Sequence, residues 1–237
     1  MSWSRVSLRS AAMALRAWLK HCERKGHVRP GLAKAILVPR VYSLEGLPPL
    51  RPTWEEVTRA IAETEGTKPA ALRARAALLL LAVYGVRPGE LCRLRLEDID
   101  WQRETISFVR SKSSRRDTFP LDLAVGNAIV EYLRHRRPRS DSRLVFLTLQ
   151  APFRPLSQGA LDSMTHTRLA RVMSERKGCS PYALRHASAR HLVDAGFTLK
   201  EIGDYLGHRS AEATRVYTKV DLPSLRLVVQ EDLGGLV

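Results

Sequence analysis

Cysteine is scarce in this chain: the 237 residues hold three, Cys22, Cys92 and Cys179, far apart and without a C-x-x-C pair. An odd number at such spacings argues against a disulfide framework or a structural zinc site, and points to a reducing cytoplasm. Long apolar runs are lacking too. The longest, 76–84, falls well short of a membrane-spanning helix. The N-terminus lacks the apolar core of a secretory signal, because Arg5, Arg9, Arg16 and Lys20 interrupt it. There is no internal repeat, no low-complexity tract, and no His, Cys or acidic cluster at metal-ligand spacing, so neither a metal nor another cofactor is expected. Acidic residues are in deficit as well, 24 against 39 Lys and Arg, which leaves a net charge of +15.

That surplus suggests a polyanionic partner, since phosphates neutralised by Lys and Arg release condensed counterions. It is spread along the chain, with local concentrations at 110–116 and 134–139, and so fits a surface that wraps a duplex better than a disordered basic tail. With 44% apolar and 27% charged residues the composition is otherwise that of a globular protein, long enough for one large domain or two small ones.

Leu8, Ala12, Leu15, Leu19 and Cys22 recur at helical spacing and predict a helix over 7–24, with Gly26 as its stop. A shorter helix is predicted over 32–38. Residues 39–52, with four prolines and Gly46, read as an extended linker. Thr53 and Glu56 have capping-box spacing for the next helix. Another, apolar almost all round at its end, runs over 70–84 and is expected to be buried. Gly85 ends it, and Pro88 suits the first turn of a helix reaching about residue 95. Residues 105–109 (T-I-S-F-V) and 117–121 are β-like and predict a hairpin across a polar stretch containing Ser113 and Ser114. Helices follow over 125–136 and 160–176, with a short extended piece over 144–147 between them. Ser180-Pro181 launches the next helix, one over 199–206 closes at Gly207, and one capped by Ser210 carries Tyr217. The expected fold class is mainly α with a small β-hairpin or sheet, an α+β arrangement.

Four segments stand out together: Gly85-Val86-Arg87-Pro88-Gly89-Glu90-Leu91, Ser111-Lys112, Tyr182-Ala183-Leu184-Arg185-His186, and Leu206-Gly207-His208 with Tyr217 nine residues beyond that histidine. In order and spacing, from about residue 52 to 220, this set resembles the signature of the tyrosine recombinase (phage integrase) family. That family has G-x-R-x-x-E-L at the end of a buried helix, a lysine on a β-hairpin, H-x-x-R at a helix start, L-G-H, and then the tyrosine.

The resemblance implies site-specific DNA recombination by strand cleavage and rejoining. Tyr217 would attack phosphorus and conserve the bond energy in a covalent 3′-phosphotyrosine, leaving a free 5′ hydroxyl. A phosphodiester gains negative charge in the transition state, and Arg87 and Arg185 would meet it with paired N–H donors that stay protonated at any relevant pH. Lys112 would protonate the departing 5′ oxygen. His208 would hydrogen-bond the phosphate or assist proton movement. Glu90 and His186 match positions that orient the arginines and the backbone around them. Tyr182 departs from the pattern by standing where the family usually has histidine. A phenol can donate a hydrogen bond to phosphate, but it cannot act as a base at neutral pH as imidazole can.

The same resemblance divides the chain into residues 1–39, a remnant of the family's N-terminal helical core-binding domain, a linker over 40–52, and a catalytic domain over 53–237 with a C-terminal tail. It implies double-stranded DNA as partner, with four protomers on two sites, and the tail from residue 221 on packing either on a neighbour or on its own domain. Other readings compete. The short N-terminal part is equally that of a truncated, inactive DNA-binding recombinase remnant. A type IB topoisomerase-like nicking activity would share the chemistry. Residues 198–216 (T-L-K-E-I-G-D-Y-L-G-H-R-S-A-E-A-T-R-V) also read as a helix-turn-helix, which would make the protein a DNA-binding regulator and Tyr217 a packing residue.

Overall fold

A computed structural model of the protein describes residues 3–40, 52–64, 66–111, 115–135, 137–174 and 178–207. The chain divides into two compact units, Met1–Leu47 and Pro48–Val237. In the first, α1 (Arg5–Arg24) is capped by Ser4, whose hydroxyl accepts from the Ser7 amide, and a 3-10 turn spans Leu32–Ala35. The helix expected over 32–38 shrinks to that one turn. Glu23 fixes it by accepting from the Ala33 amide at 2.7 Å. Leu19, Cys22 and Ala33 are the unit's buried apolar residues among those described.

The second unit is organised around α3 (Pro69–Val83), whose middle is buried on every side: Ala74, Ala76, Ala77, Leu78, Leu80 and Leu81 have no exposed surface. A helix with no polar face has to lie inside, and each of those leucines contributes about 1.5–3 kcal/mol by leaving water. Around it pack α2 (Trp54–Ala62), α5 (Leu123–His135), α6 (Gln158–Val172) and α7 (Pro181–Asp194). The expected capping box of Thr53 and Glu56 opens α2, with bonds of 3.2 and 2.9 Å. Ser180 caps α7 by accepting from Ala183, and Pro181 fills its first turn. α8 (Leu199–Leu206) is closed by Gly207 in the left-handed conformation.

The helix after Pro88 is shorter than the sequence suggests. α4 spans Pro88–Cys92, because the chain beyond is drawn into pairing: Val145 donates to Leu94, and Leu96 donates to Arg143. The hairpin is present as β2 (Thr105–Val109) and β3 (Arg116–Pro120). A two-residue strand, β1 (Ile99–Asp100), adds to it, giving an antiparallel sheet of order β1-β2-β3. In register, Ile106 faces Phe119 and Phe108 faces Asp117. Tyr84, Phe108, Phe119 and Tyr205 form a chain of ring contacts at 5.3–5.8 Å that joins sheet, α3 and α8. The architecture is thus mostly helical with one small sheet. No described helix is long and apolar enough to cross a membrane.

Candidate active site

The site is built where α3 stops. Tyr84 closes the helix, and Gly85 turns the chain with φ +53°. A Cβ here would meet Leu206 Cδ2 and lie 3.4 Å from Ser188 Oγ, so glycine is required both by the backbone and by the space. The turn buries Val86 and delivers Arg87 as the residue that starts α4. One turn on, Glu90 reaches back: the Arg87 amide donates to its Oε2 at 3.1 Å and the Arg87 guanidinium to its Oε1 at 2.9 Å.

Glu90 is buried and heavily used. Its Oε1 also accepts from the Ser111 amide at 3.1 Å, and its Oε2 from Arg110 Nη1 at 3.2 Å. Burial alone would raise this carboxyl. The Arg87 amide and guanidinium, the Ser111 amide and the Arg110 charge outweigh that, and hold it below its ordinary value. Arg110 itself is 3% exposed and makes two more charge-assisted or polar bonds, from Nε to Asp117 at 2.7 Å and from Nη2 to the Tyr205 carbonyl at 2.9 Å. Its guanidinium stands 5.5 Å from the centre of the Phe119 ring.

Arg185 comes from the second turn of α7. It is 4% exposed, and donates from Nη1 to the Gly85 carbonyl and from Nη2 to the Leu206 carbonyl at 2.7 Å. Arg87 Nη2 reaches the Gly207 carbonyl at 3.4 Å. Three guanidiniums therefore close on three consecutive main-chain oxygens, those of Tyr205, Leu206 and Gly207. These lie at the C-terminal end of α8, where carbonyls lack helical partners and the helix dipole is negative. The next residue in the chain is His208.

Of the residues singled out in the sequence, Arg87, Glu90 and Arg185 are brought together here. His186 follows Arg185 on α7 and is half-buried. Burial, then the charges of Arg185 and Arg190, push its imidazole below the ordinary histidine range. Tyr182, in the first turn of α7, is 53% exposed. Lys112, His208 and Tyr217 lie outside the described residues, as does the second half of the helix-turn-helix reading. The buried Tyr84 and Tyr132 and the half-buried Tyr205 are unsuited to attack. Burial raises Tyr84, Tyr132 and Tyr205, the last to about 12, and the Tyr205 hydroxyl donates to the Val83 carbonyl at 2.8 Å.

Sequence reasoning passed over Arg110, counting it only within the basic concentration at 110–116. A signal was present: in β2 the inward residues alternate, Ile106 then Phe108, and the next in that series is Arg110. Its partner Asp117, opposite Phe108 on β3, was equally legible as a lone acid among arginines.

The profile described as the phage integrase family matches residues 52–222. A Sinorhizobium fredii protein named as an integrase/recombinase is 37% identical over 228 residues, covering 95% of this chain and 53% of that protein. Another from the same organism, similarly named, is 43% identical over 168 residues, 70% of this chain and 86% of its own length. Tyrosine recombinase XerC of Mycobacterium leprae is 29% identical over 222 residues, 92% of this chain and 73% of XerC. Among solved structures, XerA recombinase superposes with a TM-score of 0.65 at 22% identity, covering 92% of this chain and 74% of XerA. XerH recombinase, in its post-cleavage complex with a palindromic difH substrate, gives 0.77 at 18% identity, covering 95% of this chain and 67% of XerH. At such identities these two establish the fold. The chain spans about half the length of two of the S. fredii relatives it matches, 53% and 55%.

Proposed function

The chain belongs to the phage integrase family, and from that membership we propose that it recombines DNA at specific sites by cutting and rejoining strands through a covalent 3′-phosphotyrosine on Tyr217. The observation that carries the reading is the convergence of Arg87 and Arg185 on the end of α8, one residue before His208. The Arg185 guanidinium is held by main-chain carbonyls, and that of Arg87 by Glu90 and the Gly207 carbonyl, rather than left to swing in solvent. A scissile phosphate placed there gains charge-assisted bonds whose donors are already oriented, which is the form of stabilisation a phosphoryl transition state needs.

In this reading Arg87 and Arg185 bind the non-bridging oxygens, His208 hydrogen-bonds the phosphate and Lys112 protonates the 5′ oxygen. Tyr182 donates a hydrogen bond in place of the family's usual histidine. Glu90 and His186 orient the arginines. Residues 1–39 belong to a DNA-gripping helical domain and 53–237 to the catalytic one, and the active assembly is four protomers on two duplex sites. The rival reading as a helix-turn-helix regulator gives no role to the cluster of Arg87 at the start of α4, Arg110 after β2 and Arg185 on α7. An inactive, DNA-binding remnant would keep the cluster and lose the chemistry.

The test uses a pool of nicked duplexes with randomised arms, in which the cleaved strand cannot be resealed. The expected result is a protein–DNA adduct that survives a denaturing gel, is lost in Tyr217→Phe, and whose trapped duplexes reveal the preferred site. An adduct that persists in Tyr217→Phe overturns the nucleophile assignment. Duplex binding without any adduct supports the remnant instead.

A further inference from the structure

We propose that Arg110 is a positioning residue for the cleavage reaction: its single buried guanidinium joins Glu90, Asp117 and the Tyr205 carbonyl, and so sets how Arg87 is presented to phosphate. The inference rests on the function proposed above and concerns a residue the family signature does not include.

At 3% exposure Arg110 cannot meet DNA from where it sits, so any role in the reaction is exerted through what it holds. It holds three elements at once. Through Nη1 it shares the Glu90 carboxylate with Arg87. Through Nε it reaches Asp117 on β3 at 2.7 Å, and its own amide closes the hairpin on the Arg115 carbonyl at 2.8 Å. Through Nη2 it takes the Tyr205 carbonyl at the end of α8. Gly207 lies so close that a Cβ there would stand 2.8 Å from Arg110 Nε.

The sharing at Glu90 is the decisive contact. The carboxylate is buried, and the described guanidiniums bonded to it are those of Arg87 and Arg110. Remove Arg110 and the charge on Glu90 falls to Arg87 alone, in a low-dielectric setting where such a pull is strong. Arg87 is then drawn back onto Glu90 and away from an incoming phosphate. The hairpin loses its anchor in the same step, two residues before Lys112.

The experiment compares Arg110→Met and Arg110→Lys in the full chain, each alone and combined with Arg87→Lys. Thermal unfolding checks that each variant is folded. The probe is the nicked duplex selected from the randomised pool, used for single-turnover adduct formation at saturating DNA and, separately, for binding. With Arg110→Met, adduct formation is expected to slow about 10- to 100-fold, the usual scale for a misplaced catalytic group. Binding should change less than about 2-fold, because no phosphate contact is lost. Arg110→Lys should recover part of the rate, since the charge beside Glu90 returns without the fork. In the Arg87→Lys background, Arg110→Met should slow the step less than about 3-fold, since two residues acting through one another do not add. A folded Arg110→Met at full rate overturns the proposal. So does a loss of rate matched by loss of binding, or the same factor in both backgrounds. If Arg110→Met does not fold, Arg110→Lys carries the same comparison. No adduct from the unmutated chain overturns the functional reading and this inference with it; an adduct indifferent to Arg110 overturns this inference alone.

Discussion

Replacing Gly85 by alanine tests the turn on which the site depends. The residue has φ +53°, where an L side chain costs about 1–2 kcal/mol. The new methyl would also collide with Leu206 Cδ2 and press on Ser188 Oγ at 3.4 Å. Leu206 is fully buried and can give way only by shifting α8, a strain of about 1–3 kcal/mol by the measure of overpacked cores. Together these predict about 2–5 kcal/mol. At about 2–4 °C per kcal/mol for a unit of this size, calorimetry should show Tm lowered by about 4–20 °C. Gly196→Ala is the control. Its φ is +84° and nothing lies within 4 Å of the added carbon, so it carries the backbone cost alone, about 1–2 kcal/mol. Because Arg185 donates to the Gly85 carbonyl, adduct formation should fall in the first variant and not in the control. Equal Tm values for the two would refute the claim that crowding by α8 adds to backbone conformation in fixing glycine at position 85.

Arg185→Ala should lower single-turnover adduct formation by about 10²–10³, the cost of one oriented donor at a developing charge. It should also destabilise the fold, since the Gly85 and Leu206 carbonyls each lose a donor; both effects are read from the same preparation by gel and calorimetry. Glu90 is held below its ordinary value, so its contribution to stability is fully present above the usual carboxylate range and is lost as pH falls through the folded value. Denaturant unfolding should therefore find the gap between the unmutated chain and Glu90→Gln narrowing as pH is lowered from about 6 towards about 3; a gap constant across that range would contradict the assignment. For His186 the sign is the same but the cause is the reverse, because the fold favours the neutral form rather than the charged one. Burial and the neighbouring arginines depress its imidazole, so the unfolded chain binds this proton first and stability is lost as pH falls through the ordinary histidine range. An NMR titration of His186 is expected to fall below that of an exposed histidine, and one at or above it would refute the placement.

Much of this was readable before any coordinates. The all-apolar run at Ala76–Tyr84 could only be a buried helix, and the Ser180-Pro181 and Thr53–Glu56 signals act through two or three local bonds, which sequence spacing captures directly. Arg87, Glu90 and Arg185 were picked out by the resemblance to the integrase signature, and each stands at a turn or helix start that the sequence also marks. What escaped was decided between distant segments. β1 is two residues long, too short to alternate, and exists because Ile99 lies opposite Ile106. α4 ends at Cys92 because residues 94–96 find partners at 143–145, some fifty positions later, which no helical pattern can announce. The charge of Arg110 masked its burial, and only its place in the β2 alternation betrayed it.

The grip on the end of α8 is made to main-chain oxygens, and this has a consequence for how the family can vary. Tyr205 and Leu206 could change identity without removing an acceptor from Arg110 or Arg185, because every residue brings the same carbonyl. Of the three, Gly207 alone is constrained by the grip itself, through its positive φ and the nearness of Arg110. Paired substitutions between α8 and the arginines would therefore not accumulate, and a search for co-varying positions would pass over one of the strongest connections in the site.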